Sequence, residues 1–273
     1  MINVVDRVPT YPNRIKVTKS DGTSEYVTWE RADEPTVPGT PINKALFDSI
    51  VEDIGLNKNT TVYVSTAGSD ALGDGTAANP YATITKALDS VPKNLNGYNV
   101  TINIAAGTYN EDVIVSWSFG GMIILSGAER AAVQIRSLRV WHNAVVQVVN
   151  IDLSITGMAD GNAISVTNAK LMCLGRVFTT GSVSNGVYLN HNAYAMFADL
   201  SVSNTTYAAV YAVNTSRFFA INITGNNNAA SGLLSVYGAK IAYNSLALTS
   251  AVQSSALAGG RIYSGAQIAI PQY

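Results

Sequence analysis

Beyond residue 100 the chain carries six acidic residues, Glu111, Asp112, Glu129, Asp152, Asp160 and Asp199, and none after Asp199. Cleaving a glycosidic bond takes two carboxyl groups on one site, one as acid and one as base or nucleophile. Asp152, Asp160 and Asp199 lie where neighbouring turns of the chain could bring them to a common sector, so they are the candidate catalytic residues. Counted at an even spacing, no two of the six acids share a column, which favours turn and surface roles. Asp70 and Asp74, with Asn79, stand in one Gly-rich loop, where they either collect a cation or form Asx turns. They are the candidate metal ligands. His142 and His191 are the only histidines, and neither has a His, Cys or Asp at ligand spacing, so no metal centre or cofactor is expected. Gly73-Asp74-Gly75 lacks the Gly-Lys-Ser/Thr ending of a phosphate loop, and no nucleophile-elbow sequence is present.

Aromatic residues are more numerous than acids here. Tyr188 and Tyr211 are 23 residues apart and alternate with Val187/Leu189 and Val210/Ala212, which points both rings outward. Tyr237 ends a column that runs Asn168, His191, Asn214, Tyr237, a polar stack at a bend. These three tyrosines are the candidate binding residues, suited to stacking on sugar or to packing between subunits.

The elements that hold these side chains repeat. From Ala163 to Ala266 the sequence recurs every 23 residues. Ile164, Val187, Val210, Leu233 and Ala256 form one column; Val166, Leu189, Ala212, Ser235 and Ala258 form a second. Val177, Leu200, Ile223 and Leu246 form a third. Helical repeats of this size exist, but these units, rich in Val, Ile, Tyr, Thr, Asn and Gly and alternating at period 2, are poor helix formers. At about 3.3 Å per residue one unit supplies roughly three short strands and three bends. That describes one coil of a parallel β-helix, whose neighbours bury each other's apolar side. A flat sandwich with evenly spaced turns is the other architecture such spacing allows.

Residues 1–57 differ from the rest, with nine of the 18 acids and five of the eight prolines. Two alternating runs from Arg14 and Ser24 flank Ser20-Asp21-Gly22-Thr23, a hairpin signal. A Pro-pinned connector, 32–41, leads to a short helix from Ile42, stopped by Gly55. This head has too little apolar content for its own core, so it is expected to pack on other chains. Residues 58–273 form the β-helix: a capping segment 58–98, irregular coils 99–162 and regular coils 163–266. Within the cap, Ile84, Ala87, Leu88 and Val91 predict an amphipathic helix over Tyr81–Val91 that hides the open end of the core. Near the other end the units weaken, and 268–273 could cap them or pack at a threefold axis.

Charge and cysteine content narrow the function. Net charge −1 and pI near 6.1 give no positive field to recruit nucleic acid. Charged residues are only 13%, which fits a flank covered by sister chains. Cys173 is the only cysteine and falls at an apolar alternating position, so it is read as core. No signal peptide and no membrane span are expected. The sequons at Asn204 and Asn214 are read as polar ends of coils.

Two stretches resemble known proteins. VYVSTAGSDALGDGTAANPYATITKALDSVP, followed by VTINIAAGTYNEDVIV, resembles the opening segment of right-handed parallel β-helix proteins of the pectate-lyase-like superfamily. Gly68, Ser69, Asp70, Gly75, Thr76, Pro80, Thr83, Ile84, Ala87, Leu88, Gly107, Tyr109 and Glu111 carry that match. The head, with Glu30 to Lys44 as its specific part, resembles tail-fibre or tail-spike-like structural proteins of phages and prophages of Gram-positive bacteria. The fold this implies is all-β: a right-handed parallel β-helix of about 23 residues per coil, with a short α-helical cap and a hairpin-plus-helix head. The resemblance further implies a homotrimer, attached through residues 1–57 to other tail or baseplate proteins and presented to host cell-surface glycan. The location implied is the virion. The expected role is adhesive or structural, without nucleic acid or membrane insertion. The alternative is a glycan-degrading spike enzyme, a hydrolase, lyase or deacetylase, with a site on the flank or between subunits.

Overall fold

The computed structural model describes residues 14–18, 24–28, 55–116, 118, 120–157, 161–179, 181 and 183–264. The chain divides into two compact units, 1–54 and 55–273. In the first, β1 (Arg14–Thr18) pairs antiparallel with β2 (Ser24–Thr28), Arg14 opposite Thr28 and Thr18 opposite Ser24. These are the two runs expected to pair. The turn at 20–23, the connector at 32–41, the helix from Ile42, Asp160 and the terminal 268–273 lie outside the described residues. Gly55–Asn57 belong to the second unit, where Leu56 packs on the core and its N–H donates to Asn94 O (3.1 Å).

The second unit is a right-handed parallel β-helix with about 23 residues per coil. Its strands are β3 (Thr60–Val64), β4 (Asn99–Ile104), β5 (Gly107–Thr108), β6 (Asp112–Ser116), β7 (Met122–Ile135) and β8 (Ser137–Trp141). They continue as β9 (Val145–Ile155), β10 (Asn162–Thr167), β11 (Lys170–Thr179), β12 (Val183–Asn190), β13 (Tyr194–Val202) and β14 (Thr205–Ala212). Last come β15 (Arg217–Val236), β16 (Lys240–Leu257) and β17 (Arg261–Ser264). Among the described residues all pairings in this unit are parallel. They stack into three faces. The first runs from β3 and β4 through the opening residues of β7, β9, β11, β13, β15 and β16 to β17. The second continues those long strands past a bulge, as at Cys173/Arg176 in β11. The third stacks β6, β8, β10, β12, β14 and the ends of β15 and β16. Within the irregular coils, β7 is one long strand whose register shifts between Ser126 and Ala131.

Alternation decides what faces inward. On the third face Ile164, Val187, Val210 and Leu233 pair in register and are fully buried, as are Val166, Leu189 and Ala212. Burying each larger side chain contributes about 1.5–3 kcal/mol. Large and small residues interlock on the first face. Phe218 lies in register with Ala195, and Phe197 with Ala220, so the two rings stack across coils at 5.5 Å and 28°. Cys173 is fully buried beside them, and burial pushes its thiol far above the ordinary range.

The constant step of 23 does not hold to the end. Leu233 pairs with Ser254 and Ser235 with Ala256, so the last coil is two residues short. Ala256 therefore sits in the second column, not the first, and Ala258 lies beyond the strand in a turn with φ 47°. The missing pair is removed between Gly225 and Ser231, where the register shifts twice.

The cap is α1 (Ile84–Asp89), shorter than expected over Tyr81–Val91. Tyr81 instead bridges to Val64, and Thr83, in extended backbone, accepts from Lys86 N–H as the N-cap (3.1 Å). Ile84 and Ala87 bury against the first coils.

Candidate functional site

Six of the described carboxylates, Asp70, Asp74, Glu111, Asp112, Asp152 and Asp199, are tied into the fold. Asp70 Oδ1 accepts from Ala82 N–H (2.8 Å) and Thr83 N–H (3.1 Å), and Oδ2 accepts from the Thr83 hydroxyl (2.8 Å). Glu111 accepts from Ile84 N–H and Thr85 N–H, both at 2.8 Å, at the start of α1. The helix N-terminus leaves such donors unpaired, and two carboxylates from distant sequence satisfy them. Asp74 accepts from Thr76 N–H (2.9 Å) and Thr76 Oγ1 (2.7 Å), and these bonds lower its pKa. So Asp70 and Asp74 serve the loop and the helix, and no group of three metal-ligating side chains occurs among the described residues.

On the second face the strand register overturns the expectation that no two acids share a column. Asp152, Arg176, Asp199 and Asn222 are successive partners on four coils. The step from Asp152 to Arg176 is one residue longer than the repeat, which hid the alignment. Arg176 forks onto Asp152, Nε to Oδ1 at 3.1 Å and Nη2 to Oδ2 at 2.5 Å, and Arg130 adds a contact at 3.2 Å. The Arg176 hydrogen bond lowers the pKa of Asp152, despite the opposing cost of its desolvation. Asp199 accepts from Asn222 Nδ2 (2.7 Å). A general acid needs a carboxyl held protonated, with its pKa raised. Asp152 is pushed the other way, and a cation occupies the coil between the two acids. Asp112 is likewise engaged, by Arg136 (2.7 Å) and by the Ser137 hydroxyl (3.0 Å).

The third face carries the aromatic residues. Tyr188 and Tyr211 pair in register on the outside, with ring centroids 5.4 Å apart, and Tyr207 meets Tyr211 edge-on at 5.4 Å. Both are half-buried, and burial raises their pKa values. Tyr211 packs on a small outer cluster of Ala208, Leu234 and Val236. Tyr237 is 60% exposed and has φ 53°, at the bend that stacks Asn168 (φ 47°), His191 (φ 50°) and Asn214 (φ 51°). That column is therefore a stack of left-handed turn residues, for which Asn is well suited. Asn204, the other sequon asparagine, has φ 61° at another bend. Next to Tyr188, a cleft of about 400 Å³ is lined by Trp141, His142, Asn162 and Thr167.

A fourth feature went unnoticed in the sequence. Directly after one bend, successive first-face coils place Lys170, Tyr194, Arg217, Lys240 and Arg261 in register. A small residue precedes each: Ala169, Ala193, Ser216, Ala239 and Gly260. The signal was there, as a turn, a small residue, then a cation or Tyr, but steps of 24, 23, 23 and 21 blur it. The four cations are exposed, and beside them Met172, Met196, Phe219, Ala242 and Tyr263 form the next outward column. The groove above Lys170, Met172, Tyr194 and Arg217 measures about 610 Å³.

Neither protein-family models, nor curated proteins, nor solved structures give a match to this chain. The fold itself is consistent with the pectate-lyase-like superfamily, which tail-spike and other β-helix proteins share.

Proposed function

We propose that the chain is an adhesive or structural component of a phage or prophage tail, a fibre or spike. In this reading residues 1–57 attach to other tail or baseplate proteins. The β-helix trimerises and is held out to the bacterial surface. The observation that carries the reading is the contrast between flanks: Asp152 and Asp199 are neutralised or bonded along the second face, whereas the third face offers clustered aromatics. Tyr188, Tyr207 and Tyr211 use part of their ring faces on one another, which suits a packed subunit contact with Tyr237 at its edge. The β-helix is equally a scaffold for glycan-degrading spikes. That runner-up needs a raised carboxyl pKa, and Asp152 has the reverse.

The test incubates the full chain with purified Gram-positive cell walls. Retention on the wall without release of reducing ends, unsaturated sugar or acetate is the expected result. Release of any of the three, abolished by Asp199→Asn, would replace this reading with the enzymatic one.

A further inference from the structure

We propose that the first face is a binding strip for a linear anionic glycan, one carrying carboxylates or phosphodiesters along its length. This rests on the adhesive reading above and names the ligand class.

Lys170, Arg217, Lys240 and Arg261 stand in one register column, with Tyr194 between the first two. Neighbouring coils are about 4.8 Å apart, so the column runs for roughly 19 Å along the helix axis. Lys170, Arg217 and Lys240 have no ion-pair partner among the described residues. The Arg261 side chain meets the Tyr263 hydroxyl and has no carboxylate partner among the described residues. Stacking like charges at this spacing destabilises a sheet unless something of opposite sign lies over it. Elsewhere Arg130 and Arg176 share Asp152 and Arg136 has Asp112, while Lys58, Lys86 and Lys93, also without an ion pair among the described residues, lie outside the strands and form no column. The contrast marks the first face as waiting for external negative charge.

The ligand's shape follows from the column beside the cations. Met172 and Phe219, both half-buried, are the accessible part of an apolar lane in which Met196 and Ala242 are covered, and Met172 lines the 610 Å³ groove near Lys170. A sugar ring offers C–H faces to such a lane while its charged groups reach the cations. Stacked nucleobases fit less well, because Tyr194 and Phe219 are turned on each other at 5.5 Å and leave no open aromatic platform. A second copy of this chain is disfavoured on this face, since a symmetric contact would bring cation against cation.

The test titrates the full-length protein by calorimetry with polygalacturonate, poly(glycerol phosphate), dextran and a single-stranded oligodeoxynucleotide. One or both anionic glycans are expected to bind, dextran not at all, with affinity falling steeply between about 50 mM and about 200 mM salt. The tighter of the two identifies the anionic group. Arg217→Gln/Lys240→Gln, and separately Lys170→Gln/Arg217→Gln, should weaken binding about tenfold or more without lowering the melting temperature. Lys93→Gln, an exposed cation off this face, should leave it unchanged. The proposal is overturned if no probe binds, if dextran binds equally, if the oligonucleotide binds tighter than both glycans, or if both double variants bind normally. Light scattering on the same samples separates the two ideas. A trimer that ignores the polyanions overturns the strip alone, and a monomer that binds them overturns the assembly alone.

Discussion

Both carboxylate oxygens of Glu111 are taken up by the first turn of a six-residue helix, and Asp70 holds the turn just before it. The sequence marks Glu111 only through a resemblance, and it reads Asp70 as a cation ligand or local turn residue, whereas Asp70 bonds Ala82 and Thr83. Their partners lie 12 to 27 positions away, a distance that spacing rules do not bridge. Glu111→Ala strips two helix-start N–H groups of their acceptor, so it should cost about 1–3 kcal/mol. In calorimetry that is a fall of about 2–4 °C per kcal/mol for a domain this size. Asp74→Ala, an exposed turn bond, should change melting by much less. Equal effects would contradict the roles assigned here. Asp152 and Asp199 show the opposite limit of reading at residue scale. One extra residue in a coil was enough to conceal that they share a column with Arg176 between them.

At the scale of elements, the coils were legible because burial repeats with the strand period. Ile164, Val187, Val210 and Leu233 fall in one inward column as their spacing requires. The last coil was not legible, because small residues such as Ser254, Ala256 and Ala258 carry no strong inward signature, and a shift of two leaves alternation intact. The cap helix was overextended for a related reason: Tyr81 has a place in a helical pattern but is held by Val64. The interlocked pair Phe197–Phe218 gives this scale its prediction. Phe218→Ala opens a cavity beneath Ala195 in a fully buried stack and should cost about 3–5 kcal/mol. Tyr263→Ala, 40% exposed on the terminal coil, should cost less than about 1 kcal/mol. Urea denaturation midpoints distinguish the two, and comparable losses would mean that the coils do not share one continuous core.

For the molecule as a whole, the three faces divide the work. The second face neutralises its own charges, the third gathers aromatic surface, and the first gathers unpaired cations. The repeat explains why such specialisation is possible: every coil adds one position to each face, so a single residue type repeated at one position becomes a stripe. The central claim is that this helix works as an assembled shaft through its aromatic face. Light scattering coupled to size exclusion tests it most directly. A mass three times the 28.8 kDa of one chain, reduced by the double substitution Tyr188→Ser/Tyr211→Ser, is the expected result. A mass of one chain that does not change with concentration would contradict it.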